Sequence, residues 1–277
     1  NINATILQVS RMIGPAVAGW VITVLGTATA FWVNGVSFIA VIISLLMVRS
    51  EQRILSRPQT SVLSEMTDAM RFVKSQPRMQ DLFIFVSIVT FFGLSSLSIM
   101  PSFASVALHG DAQTLGFILA SSGAGALAST LVFVPLLQAR RRIGLGIGMM
   151  VTWMGLWLLI TSGMQWLPLA MLGIFAFSIG APMVIATSLG LVQTLAPIEM
   201  RARLLSLFTM VSFGVQPVAS LLVGFTAQQV GTPLAITVNG AMMMLCAVLM
   251  LVLRPQLRTW VMHYTPTASQ VMRQPIK

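Results

Sequence analysis

Apolar side chains run almost without interruption through eight stretches of the chain, at roughly 5–26, 30–48, 81–107, 114–136, 143–162, 167–193, 204–230 and 233–253. A helix rises about 1.5 Å per residue, so about 20 residues cross the ~30 Å hydrocarbon layer of a bilayer. Each stretch is therefore predicted to be a spanning helix. Barrel strands, the other structure that satisfies its backbone in lipid, would be shorter and would alternate apolar with polar residues. The pattern predicts an all-α polytopic membrane bundle of eight transmembrane helices.

The polar residues between the stretches are not evenly shared. Basic residues follow the second, fourth, sixth and eighth stretches: Arg49, Arg53, Arg57, Arg71, Lys74 and Arg78, then Arg140, Arg141 and Arg142, then Arg201 and Arg203, then Arg254, Arg258, Arg273 and Lys277. The alternate connections, near Thr27, His109, Met164 and Gln229, hold none. Positive loops stay on the cytoplasmic side, which predicts a multi-pass protein of the cell membrane with both visible ends in the cytoplasm.

Composition agrees. Charged residues make up 8% of the chain, against roughly 25% in a soluble domain, and mean hydropathy is +0.90. The net charge of +10 lies in loops rather than on one basic face, so it points to a lipid bilayer and not to nucleic acid as partner. Cys246 is the only cysteine and sits inside an apolar stretch, which leaves no disulfide framework and no cysteine metal site. The chain begins at Asn1 with no signal-peptide pattern before the first stretch, so it is expected to be processed or a fragment.

The longest loop, 49–80, places Val62, Met66, Ala69, Met70 and Val73 on one helical face, with Glu65, Asp68, Arg71 and Lys74 elsewhere. A short amphipathic helix on the cytoplasmic interface, stopped by Pro77, is expected, with a charged linker as the alternative.

An internal repeat joins the first and last helix pairs. At a shift of 205 residues, the distance from Asn34 to Asn239, Gly19 meets Gly224, Gly26 meets Gly231, Thr27 meets Thr232 and Ala30 meets Ala235. Val33, Asn34 and Gly35 meet Val238, Asn239 and Gly240, and Arg49 and Arg53 meet Arg254 and Arg258. Glycine, asparagine and arginine coincide by chance less readily than leucine or valine. The copies start six spans apart, so the repeating unit is six helices, an arrangement used by secondary transporters. The counterparts of 81–203 would precede Asn1, and a parent chain longer by roughly four spans is expected.

The run from Arg11 through Gly14, Pro15 and Gly19, then Gly26, then Ala30 through Phe38, resembles the fifth and sixth helices of the major facilitator superfamily. It is most similar to the branch containing the enterobactin exporter and related bacterial efflux proteins. Phe72 through Pro77 and Ala196 through Arg203 extend the resemblance across essentially the whole chain. It implies helices 5–12 of a twelve-helix fold: 1–48 as the last two helices of the N-terminal half, 49–80 as a central cytoplasmic loop, 81–253 as the C-terminal half and 254–277 as a tail. Arg11, Gly14, Pro15 and Gly19 then match the antiporter motif, which is associated with export; Ala18 stands where a second glycine often occurs. The loop Gln138 through Arg142 is basic but lacks the Gly and Asp of the fuller family signature, so a latch role there is not implied.

Polar residues within the stretches are the candidates for a polar path: Gln8, Asn34, Thr90, Ser98, Gln193, Gln216 and Asn239. Each could equally be a hydrogen bond between packed helices. Small residues recur at four-residue spacing at Ala120, Ala124 and Ala128 and at Ser121, Gly125 and Ser129, which suits close helix packing. No carboxylate lies in the middle of a stretch, so a proton-coupling acid is expected in helices outside this sequence. His109 and His263 have no partners at metal-ligand spacing, and no nucleophile motif or cofactor signature appears. The reading is a secondary active transporter, not an enzyme, exporting a small amphipathic, drug- or siderophore-like molecule by proton-coupled alternating access. An importer of the same fold and a truncated, non-transporting membrane protein are the alternatives.

Overall fold

The computed structural model describes residues 62–138 and 143–259, together with 21, 24–26, 28–29, 31–39, 41–44 and 46–47. Among these residues all regular structure is helical. A short helix α1 (Val62–Ser75) leads into six helices long and apolar enough to span a membrane: α2 (Pro77–Ala107), α3 (Ala112–Leu137), α4 (Ile143–Ser162), α5 (Leu167–Leu195), α6 (Ile198–Val230) and α7 (Thr232–Leu253).

These six match the last six stretches of the sequence pattern. The largest difference is α6, which starts at Ile198 instead of near 204 and so includes Arg201 and Arg203. Backbone hydrogen bonds continue a helix regardless of polarity, so a charged first turn need only lie outside the hydrocarbon. Of the first two stretches, 31–39 and 41–44 are helical. Most of 5–26 lies outside the described residues, as does the loop at 139–142.

Local sequence explains the breaks. Pro77 disfavours helical torsions at the residue before it, and Gln76 is extended at φ −115°, which separates α1 from α2. Prolines also open the spans: each lacks the N–H that would bond the carbonyl four residues back. Pro135 follows the π-helical turn Ser129–Phe133 of α3, and Pro217 follows the π-helical turn Met210–Gly214 of α6. Pro182 accounts in the same way for the turn at Ile179 within α5. In α2, Pro101 follows a tight 3-10 turn over Leu97–Ile99. A further π-helical turn, Val89–Leu94, contains Gly93 but no proline.

The core is built where α2, α4, α5 and α7 meet: Leu82, Phe85, Ile147, Met154, Leu158, Ile174, Phe177, Ile236 and Met243 are fully enclosed. Glycines set the closest approach. A Cβ on Gly155 would stand 2.7 Å from the Met244 nitrogen, and one on Gly240 would stand 2.8 Å from the Leu159 nitrogen, so α4 and α7 touch backbone to backbone. The stripe Ser121, Gly125 and Ser129 is buried, and a Cβ on Gly125 would meet the Phe175 carbonyl of α5 at 2.2 Å. Close packing is thus what this stripe does.

The two hairpins related by the 205-residue shift share a turn conformation. Gly26 and Gly231 are the two glycines with positive φ among the described residues, at +83° and +88°. An L side chain rarely adopts that conformation, so both hairpins need glycine at the same register position.

Candidate functional site

In a membrane bundle, hydroxyl and amide groups within the spans either join helices or face a polar space. Most of the joining groups here lie along α2 and α7. The Asn239 amide of α7 donates to the Ser96 hydroxyl of α2 at 2.9 Å. Ser102 and Thr232 share a hydrogen bond at 2.6 Å at the N-terminal end of α7, and Thr237 donates to Ser162 of α4 at 2.8 Å. Three such bonds fix α7 against its neighbours.

A second polar contact joins α2 to α6 where both contain a π-helical turn. Thr90 is fully buried, and its hydroxyl donates to the Ser212 carbonyl at 3.5 Å. The Ser212 hydroxyl is itself buried without a hydrogen-bond partner. Such turns insert a residue into the helix and often mark functional positions. Methyl groups of Met154 and Met243 close over Gly93 in the same turn of α2, at 3.4 Å from where its Cβ would be.

The candidate path residues therefore divide. Thr90 and Asn239 take part in hydrogen bonds between helices. Ser98 is exposed and bonds back to the Ser95 carbonyl of its own helix. Gln193 is exposed near the end of α5, Gln216 is half-buried on α6, and Asn34 is exposed on its helix. Gln8, Arg11, Gly14, Pro15 and Gly19 lie outside the described residues, so the antiporter motif has no structural counterpart to describe.

Outward-facing positions on α6 mix apolar with polar residues: Ser206 and Thr209 are exposed and Gln216 and Ser220 half-buried, beside exposed Met210, Phe213, Val218 and Leu221. Ser206 and Thr209 return their hydroxyl protons to the Ala202 and Leu205 carbonyls of the same helix, which lets them sit there without an outside partner.

Charged groups gather at one end. Arg203, at the start of α6, lies 3.5 Å from Glu65 and 3.7 Å from Asp68 on α1, and Arg71 lies 3.4 Å from Asp68. Asp81, near the start of α2, is buried with its carboxylate 3.8 Å from Arg254, just past the end of α7. Neither contact emerged from the sequence pattern, which placed these acids only at membrane edges. Glu65 and Asp68, three apart on a helix and opposite a second arginine-bearing loop, were the available signal. Ala69 and Val73 of α1 are buried and Met66 packs against the core, as the amphipathic pattern required, while Met70 stays largely exposed. A surface cavity of about 390 Å³ lies over α1 beside Met66, Thr67, Met70, Arg71 and Lys74, away from the spans.

At the opposite end, Asp111 caps α3. Its carboxylate accepts from the Thr114 backbone N–H at 3.0 Å and from the Thr114 hydroxyl at 3.1 Å. The backbone bond from Thr114 is the main cause that holds the Asp111 carboxyl below the usual carboxylate range. Among the described residues, no three His, Cys, Asp or Glu side chains could hold a metal ion together.

A proline- and glycine-broken bundle of spanning helices, with polar groups joining helices and charges at one end, is the architecture expected of a carrier. Comparison with curated proteins gave no match. The family model described as transmembrane secretion effector matches residues 1–276. The chain therefore belongs to the transmembrane secretion effector family of major facilitator transporters.

Proposed function

We propose that this chain forms helices 5–12 of a twelve-helix exporter that moves a small amphipathic molecule out of the cell by alternating access. The observation that carries the reading is the family match over residues 1–276. Lipid gives no hydrogen bonds, so the half-buried Gln216 amide suits a wet cavity or a facing half better than acyl chains. Ser98, Gln193 and Gln216, with Gln8 and Asn34, are the residues proposed to line that path. Thr90 and Asn239 would instead hold the helices that form it. Arg11, Gly14, Pro15 and Gly19, by their likeness to the antiporter motif, support the outward direction and proton coupling.

The basic ends of α1, α6 and α7 lie together, which suits a single cytoplasmic face in the cell membrane. Everted and right-side-out membrane vesicles test the direction. Each is given amphipathic fluorescent dyes or a catechol-type siderophore in the outside medium and energised with a proton gradient of either sign. Uptake into everted vesicles that collapses with the gradient is expected. Uptake into right-side-out vesicles would assign import, and gradient-independent leakage alone would mean that the chain does not transport.

A further inference from the structure

The spans α2 and α6 pack together where each leaves the α-helical ladder, over Val89–Leu94 and Met210–Gly214. Pro217 adds to the interruption of α6, since it has no N–H for the carbonyls four and five residues back, Phe213 and Ser212. Thr90 and Ser212 meet there, 0% and 2% exposed. The Thr90 hydroxyl stands 3.5 Å from the Ser212 carbonyl, well beyond the roughly 2.7–2.8 Å usual for a hydroxyl hydrogen bond. The Ser212 hydroxyl has no hydrogen-bond partner.

Packing does not require that hydroxyl: an alanine would fill the same place without the cost of burying an unpaired polar group. The 3.5 Å separation, loose for a hydrogen bond, is that of two neighbouring oxygens that ligate one hard cation at right angles from roughly 2.3–2.6 Å each. Interrupted spanning helices hold sodium through backbone carbonyls in this way.

We infer that the Thr90 Oγ1, the Ser212 carbonyl oxygen and the Ser212 Oγ bind a sodium ion between α2 and α6. All three are neutral oxygens, and the acids of the two helices, Asp81 and Glu199, lie turns away near the helix starts. Nothing at the site therefore balances a divalent charge, and the oxygen spacing suits sodium better than the larger potassium ion. The bound ion ties the two interrupted turns to each other. The inference goes beyond the exporter reading and does not rest on it, because binding is measured without any flux.

The gene is expressed as the cell encodes it, and melting of the purified protein is followed in detergent as sodium chloride replaces choline chloride at constant ionic strength. A saturable rise of several degrees is expected for the parent, with none in potassium chloride. In choline, Ser212→Ala is expected to melt with the parent, because the hydroxyl it loses has no partner. In sodium it should need about tenfold more of the ion for half the rise. Thr90→Val weakens the response likewise, and Thr90→Ser, which restores the hydroxyl, regains it. An absent sodium rise in the parent, an equal rise in potassium, or a sodium response unchanged in Ser212→Ala would each overturn the inference.

Discussion

At the residue scale, buried polar groups are the most exposed to single changes. Asp81 is enclosed while Arg254 is partly open to solvent, so the two are not equivalent. Arg254→Gln leaves a buried carboxylate without its counter-charge, whereas Asp81→Asn removes the charge and leaves an arginine that water can reach. The first is expected to destabilise by roughly 1–3 kcal/mol and the second by less, an order that thermal denaturation in detergent checks. Asp111 gives a pH test. Because its folded pKa is depressed, the stability it adds is present above the ordinary carboxylate pKa of about 3.9 and is lost as pH falls through the folded value. Asp111→Asn should therefore narrow the stability gap to the parent below about pH 4 and widen it at neutral pH, which a melting series across pH reads out.

At the element scale, the spans were legible because lipid demands long apolar runs, and α2 to α7 fall within a few residues of the pattern. The helix at 62–75 was legible from its helical periodicity, but its apolar face, expected on the membrane interface, instead packs Ala69 and Val73 into the bundle. The π-helical turns were not. Pro135 and Pro217 signal that a hydrogen bond must be lost, but whether the helix kinks, tightens or widens in response depends on the helix packed beside it. What α1 rests on was equally hidden, since ion pairs between distant segments leave no periodic trace. Arg203 bridges Glu65 and Asp68 across 138 residues of chain in the first case, and with the groups partly exposed its worth is under about 1 kcal/mol. Arg203→Gln is accordingly expected to speed amide exchange across 62–75 while leaving 143–162 protected, with the difference shrinking at high salt. Equal exchange in parent and variant would mean that apolar packing alone holds α1.

At the scale of the molecule, the repeat carries the most weight. Glycine, asparagine and arginine matches suggested it in sequence, and the two left-handed glycines give it a conformational basis. Candidate path residues were less legible. Thr90 and Asn239 look like Ser98 and Gln216 in a hydropathy pattern, and only the neighbouring helix decides which of them bonds inward. Sidedness is the claim on which duplication, export and the cytoplasmic placement of the charged end all depend. It is tested most directly with single cysteines at His109 and Arg141 in a Cys246→Ala background, probed by a membrane-impermeant maleimide on intact cells. His109→Cys is expected to label from outside and Arg141→Cys only after permeabilisation; labelling of Arg141→Cys in intact cells, or of both positions from the same side, would contradict it.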